Sequence, residues 1–164
     1  MADKKIFVVD TTMRDGSHAL KHSYTEEQVT AIAAALDRCG VPMIELSHGD
    51  GLGGSGYTYG FSKVDEMKLI KAASKVIKNA QLAVLLLPGI GTIEMLGEAK
   101  ENGANAVRVA THVTEADVAE QHIKAAKNMN ITTVGFLMMV HMAPIEVMVE
   151  EAKKMESYGS DYIN

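Results

Sequence analysis

Short apolar runs alternate along this chain with longer stretches of helical periodicity. The apolar runs fall near 6–9, 41–46, 82–87, 106–110 and 132–139, with a stub at 161–164, and the helical stretches near 25–39, 63–78, 92–102, 115–129 and 144–158. Continuous apolar runs of this length read as strands buried on both faces, and β followed by α five times over implies a parallel sheet with right-handed crossovers. Between Thr25 and Gly40, the residues Val29, Ile32, Ala33 and Leu36 keep helical spacing, so one stripe packs on the sheet and the rest faces water. Three helix-to-strand junctions share one design. Leu36 to Gly40 leads into Met43-Ile44-Glu45-Leu46, Ala99 to Gly103 into Ala106-Val107-Arg108-Val109, and Met155 to Gly159 into Tyr162-Ile163-Asn164. Each glycine sits where a helix ends in a left-handed residue, and an aliphatic strand position follows four residues later. Helix starts are marked by Thr25 with Gln28, Ser62 with Asp65 and Thr114 with Asp117, which resemble capping boxes, and Pro144 suits a first helical turn.

This order fits either an open doubly wound sheet or a (β/α)₈ barrel, and periodicity alone does not separate them. Eight barrel units need about 250 residues, whereas this chain has 164 and stops at its sixth strand. The expectation is therefore a fragment ending in mid-strand at Tyr162-Ile163-Asn164, with bare edges that something must cover. Composition narrows the class. With 47% hydrophobic residues the chain can bury a core, and a formal charge of −5 with both signs interspersed leaves no footprint for nucleic acid or an anionic membrane. Cys39 is the single cysteine and the start Met1 to Lys5 lacks an apolar leader, so a reducing cytoplasm is expected. The longest apolar run, Leu82 to Leu87 with its flanks, is far shorter than the ~20 residues of a membrane span.

The chemistry concentrates after the first strand, in Val9-Asp10-Thr11-Thr12-Met13-Arg14-Asp15-Gly16-Ser17-His18. Asp10 onward should emerge at the carboxyl end of that strand, where α/β folds place their sites. Cleaving a carbon–carbon bond beside a 2-oxo acid generates an enolate, whose charge a divalent cation can hold. Asp15 is a candidate ligand for Mg²⁺ or Mn²⁺, Arg14 can hydrogen-bond the enolate oxygen or carboxylate, and His18 can accept a hydroxyl proton near neutral pH. Taken singly, an Asp-Gly pair is a turn and an Arg beside an Asp is a surface ion pair.

The run Asp10 to Gly16 resembles the first-strand signature of the metal-dependent lyase and synthase superfamily that includes hydroxymethylglutaryl-CoA lyase and isopropylmalate synthase. With Ser17-His18-Ala19, Ser47 to Ser55 and Gly135 to Ala143, the chain resembles the 4-hydroxy-2-oxovalerate aldolases along essentially its whole length. The resemblance implies a TIM barrel, (β/α)₈, present here as its first five βα units and the start of strand six, so that residues 1–164 form the N-terminal part of one catalytic domain. It implies cleavage of 4-hydroxy-2-oxopentanoate to pyruvate and acetaldehyde in aromatic-compound catabolism, with Mn²⁺ as the usual cofactor and Mg²⁺ or Co²⁺ as substitutes. On that reading Asp15 binds metal and borders the substrate, Arg14 contacts pyruvate and steadies the enolate, and His18 is the base on the 4-hydroxyl. The family's His-x-His metal ligands, a serine after the sixth strand and a later tyrosine lie beyond Asn164, so the chain alone is expected to show little turnover. An acylating acetaldehyde dehydrogenase is the implied partner. Two alternatives stand beside this reading: an acetyl-CoA-dependent Claisen-type synthase of the same superfamily, and a non-catalytic half-barrel that associates with itself or with the missing half.

Other positions carry weaker signals. The loop Gly49 to Gly56 lacks the spacing of a phosphate cradle and reads as a flexible flap over the substrate. Glu45 and Arg108 hold the same place after their helix-ending glycines, so both should point into the barrel interior. Glu45 then either orients Arg14 or pairs with Arg108. His48 and His141 follow strands and could line the mouth; His18 and His22 have metal-ligand spacing only if that segment is helical. The Phe136 to Val140 stretch reads as ordinary core.

Overall fold

The computed structural model describes residues 7–164; the beginning of the expected first strand at Ile6 and the Met1 to Lys5 segment lie outside them. Six parallel strands form one sheet in the order of the chain: β1 (Val9–Met13), β2 (Met43–Leu46), β3 (Gln81–Leu86), β4 (Ala106–His112), β5 (Thr132–Met138) and β6 (Tyr162–Ile163). Five helices alternate with them: α1 (Glu26–Arg38), α2 (Glu66–Ser74), α3 (Ile93–Glu101), α4 (Glu120–Asn128) and α5 (Ile145–Tyr158). A doubly wound sheet reverses its strand order at a switch point; here the order runs from β1 to β6 without reversal. The sheet also curls. A flat sheet would hold its first and sixth strands about 24 Å apart at ~4.8 Å per strand, yet the rings of Phe7, just before β1, and Tyr162 on β6 stack at 5.4 Å. This is a partial barrel with helices on its convex side. No helix among the described residues is long and apolar enough to cross a membrane.

Strand alternation divides the apolar residues between two faces. Ile44, Leu46, Leu82, Val84, Leu86, Val107 and Val109 face the helices, where Val29, Ala33, Ile70, Leu96, Ile123 and Met155 complete the main core. Val9, Met43, Ala83, Ala106 and Val134 form a smaller cluster on the concave face. The three helix-ending glycines adopt the expected left-handed backbone, with φ of +77° at Gly40, +108° at Gly103 and +109° at Gly159. Five residues beyond them stand Glu45, Arg108 and Asn164. Arg108 bonds both of the others, at 3.0 Å to Glu45 and 2.7 Å to the Asn164 amide oxygen. One repeated turn thus delivers three polar side chains to one interior level.

Several local expectations are corrected. Among the described residues the first strand runs over Val9–Met13, past the expected end at Val9, so Asp10 lies within it. The following segment is a 3₁₀ helix over Asp15–Leu20, not a plain turn. Thr25 and Gln28 do form a reciprocal capping box. Ser62 does not cap α2, because Asp65 accepts the Lys68 N–H instead, and Thr114 does not cap α4, which is preceded by a 3₁₀ turn over Ala116–Ala119. Pro144 occupies the N-cap of α5, one position before its first turn. On the side of α1 expected to face water, Asp37 is buried and accepts the backbone N–H groups of Lys78, Asn79 and Ala80 at 3.1, 2.9 and 2.7 Å. Those bonds hold its carboxyl below the ordinary aspartate range and lock the turn entering β3.

Candidate active site

A β-bulge sets the orientation of the signature. Asp10 pairs with Ile44 but Met13 pairs with Leu46, so β1 spends three residues where β2 spends two. Strict alternation from Val9 would aim Met13 at the concave face. The extra residue turns it into the helix-facing core, where it is fully buried, and delivers Arg14 to the concave side.

Arg14 meets Glu45 there. Its Nε donates to Glu45 Oε2 at 2.8 Å, while Arg108 donates to both Glu45 oxygens at 3.0 Å. Glu45 is wholly buried, so a lone carboxylate would be costly; two guanidinium partners compensate it. Both functions weighed for Glu45 are therefore realised at once. Arg108 is further seated over the half-buried Phe136 ring at 4.3 Å; with Met139 and Val140 exposed, the stretch from Phe136 to Val140 is not the ordinary core expected, and only Leu137 of it is buried. Arg14 Nη1 reaches Asp15 Oδ1 at 2.9 Å and the Gly49 carbonyl at 3.4 Å. The Asp15 side chain stays 66% exposed, so a carboxylate oxygen remains open at the mouth.

Gly49 joins this ionic chain to the histidines. A Cβ there would fall 2.5 Å from the His18 ring, and one on Gly54 would collide with His48 Nδ1. These two positions need glycine so that imidazoles can lie against backbone. The first half of this loop, expected to be a flap, is packed against the fold. Leu52 is fully buried and its N–H donates to the Leu85 carbonyl, while Glu66 accepts the His48 and Gly53 N–H groups at 3.2 and 2.8 Å. Burial raises the Glu66 pKa against the pull of those bonds.

His18, His22 and Asp50 come together, with one donor atom of each within 4.8 Å of the others. The condition set on their spacing, an α-helical segment, is not met. A 3₁₀ turn is followed by Lys21 and His22, both in the left-handed region at φ 50° and 55°, and this reversal brings the rings to 5.0 Å. His22 stacks on His48 at 3.8 Å. Ser17 donates its hydroxyl to the Arg14 carbonyl at 2.6 Å, so its oxygen accepts from His22 Nδ1 at 3.1 Å. His48 accepts the Asp50 N–H at Nδ1 and donates Nε2–H to the Gly60 carbonyl. Desolvation first, then the nearness of His18 to His22 and of His22 to His48, lowers both pKa values, so both rings are neutral at pH 7.

Of the residues singled out in the sequence, Arg14 and Asp15 are in direct contact, and His18 shares Gly49 with Arg14. His48 is buried and structural, while His141 is exposed in a 3₁₀ turn after β5. Asp50 and Ser17 had no signal beyond their place between glycines or beside His18. The model of the HMGL-like family matches residues 5–164. The chain belongs to the HMGL-like family. Among curated members it is 59% identical over 164 residues to a 4-hydroxy-2-oxovalerate aldolase of Moorella thermoacetica, a match covering 100% of this chain and 48% of that protein. A protein of the same name from Thermus thermophilus is 58% identical over 156 residues, 95% of this chain and 45% of its own length. The chain thus spans about half the length of the curated relatives it matches. Among solved structures, the carboxyl transferase domain of Rhizobium etli pyruvate carboxylase, crystallised with pyruvate and biocytin, superposes with a TM-score of 0.77 at 17% identity, over 99% of this chain and 30% of that one. The N-terminal domain of a putative aldolase from Bacteroides vulgatus gives 0.65 at 16% identity, over 97% and 62%. At that identity the likeness concerns fold.

Proposed function

We propose that this HMGL-like chain is the N-terminal part, strands one to six, of a single (β/α)₈ catalytic domain that cleaves 4-hydroxy-2-oxopentanoate to pyruvate and acetaldehyde. The observation that carries the reading is Arg14 clamped by buried Glu45, with Asp15 and His18 beside it at one mouth. His18 takes the proton of the 4-hydroxyl, the C3–C4 bond breaks, and its electron pair moves to C3 with charge delocalised onto the C2 oxygen. Arg14, already oriented through Nε, turns an Nη–H toward that oxygen or the adjacent carboxylate; protonation at C3 then completes pyruvate. A divalent ion, Mn²⁺ on this reading with Mg²⁺ or Co²⁺ as substitutes, supplies Lewis-acid stabilisation of the enolate when bound. Asp15 fits as one of its ligands, since its open carboxylate is a hard oxygen donor. One carboxylate does not fix a metal's geometry, so the remaining ligands belong to the rest of the longer protein, as do the substrate contacts beyond β6.

The relatives named above favour this reading over the acetyl-CoA-dependent synthase. Lone, exposed Cys39 suits a reducing cytoplasm, and an acylating acetaldehyde dehydrogenase is the partner that the resemblance implies for the volatile product. The test is pyruvate release from the substrate by the full-length protein with and without Mn²⁺. Cation-dependent release supports the reading; acetyl-CoA consumption with thiol release and no retro-aldol product would replace it with the synthase.

A further inference from the structure

The donor set His18, His22 and Asp50 is separate from the Asp15 carboxylate and of different chemistry. We propose that it is a second cation site, selective for a borderline transition ion of the zinc class. Two imidazoles and one carboxylate favour Zn²⁺ or Ni²⁺ over Mg²⁺ and Mn²⁺, which prefer oxygen ligands. The donor atoms lie within 4.8 Å of one another, a span that small side-chain rotations convert to coordination distances of about 2.0–2.2 Å.

Three features prepare the site. His22 is buried, its ring is fixed between Ser17 and the His48 face, and its Nδ1–H is committed to the Ser17 oxygen. The ring also hydrogen-bonds the Tyr59 backbone, and a ligating histidine held through its second nitrogen is the arrangement metal sites use. Asp50 is tethered by its own N–H to His48 Nδ1 at 3.1 Å, and its Oδ2 lies 3.5 Å from that same nitrogen. That nitrogen accepts a hydrogen bond, so it offers the carboxylate no proton; among the described residues no lysine or arginine forms an ion pair with Asp50. His18 is exposed and seated on Gly49, free to complete the set. The result is a carboxylate and two imidazoles converging, with no lysine or arginine paired to the carboxylate among the described residues.

If His18 is also the base of the proposed cleavage, an ion here occupies its lone pair and opposes turnover; that consequence rests on the proposed function, whereas the binding itself does not. The experiment measures binding without activity. The chelator-treated 164-residue chain is titrated with Zn²⁺ against a chromophoric chelator, alongside Asp50→Asn, His22→Gln, His18→Gln and Asp15→Asn, each checked by circular dichroism. One zinc ion per chain is expected, with affinity weakened at least 10-fold to 100-fold in Asp50→Asn and His18→Gln, the two more exposed positions, and unchanged in Asp15→Asn. His22→Gln, if folded, behaves like them. Absence of saturable uptake by the folded chain, uptake indifferent to Asp50→Asn and His18→Gln, or uptake abolished by Asp15→Asn overturns the proposal.

Discussion

At the scale of single residues, three reactive side chains, Arg14, Asp15 and His18, are held at one mouth. His18 is the proposed base, so His18→Ala in the full-length protein should lower kcat by about 10²–10⁴-fold, read from initial rates of pyruvate release with folding checked separately. Gly49 supplies the surface on which that ring lies. Gly49→Ala should displace the imidazole and cost about 10²-fold in kcat, while the melting temperature falls little by comparison; equal rates in the two proteins would show that His18 does not need this seat. Glu45 contributes to both structure and orientation. Glu45→Gln leaves two buried guanidinium groups short of a negative charge and should destabilise the fold by about 3–5 kcal/mol. Because the same oxygen holds Arg14 Nε, kcat should fall as well. A loss of melting temperature with kcat intact would reduce Glu45 to a structural ion. The identity of Arg14, Asp15 and His18 as candidates was legible in the sequence because their residue types match one reaction. Asp50 and Ser17 were not, since their significance arises only when the backbone reverses at Lys21 and His22, two non-glycine residues in a conformation sequence does not announce.

At the scale of elements, strands and helices followed from periodicity, and the repeated glycine turn foretold that Glu45 and Arg108 share a level. Asn164 obeys the same rule and joins them. The β1 bulge was hidden, because Thr11 and Thr12 suit a regular strand as well as an irregular one. Asp37 was also hidden: it flanks the apolar stripe one turn after Ala33, where a charged side chain reads as facing water, while the N–H groups that bury it come from the turn before β3. Helix α4 carries a separate pH response. His122 is buried there with Nδ1 unpartnered, and desolvation lowers its pKa. Since its folded value lies below its unfolded value, neither state is protonated well above about pH 6.5. As the pH falls through that value the unfolded chain takes the proton first, so stability declines until the folded-state pKa is reached. His122→Leu should therefore flatten the dependence of melting temperature on pH between 7 and 5; an unchanged slope would assign it to His22 and His48, which shift in the same direction.

At the scale of the molecule, the strand order and the Phe7–Tyr162 stack show a sheet that curls toward closure, while among the described residues β1 and β6 each keep an edge without a strand partner. Exposed Val8, Phe7, Tyr162 and Ile163 flank those edges. Such edges invite pairing with another chain, so the isolated chain should scatter light as an oligomer, and a strictly monomeric mass across concentration would contradict this. Which of two parallel architectures the chain adopts was not legible in periodicity, because both repeat the same βα unit; strand order decided it. The central claim is that Asp15 holds the divalent ion that steadies the enolate, with Arg14 and His18 handling oxygen and proton. It is tested most directly by Asp15→Ala in the full-length protein, with Mn²⁺-dependent pyruvate release and Mn²⁺ affinity measured on the same folded sample. The account predicts loss of both; normal release by the folded variant, or release that survives exhaustive chelation, contradicts it.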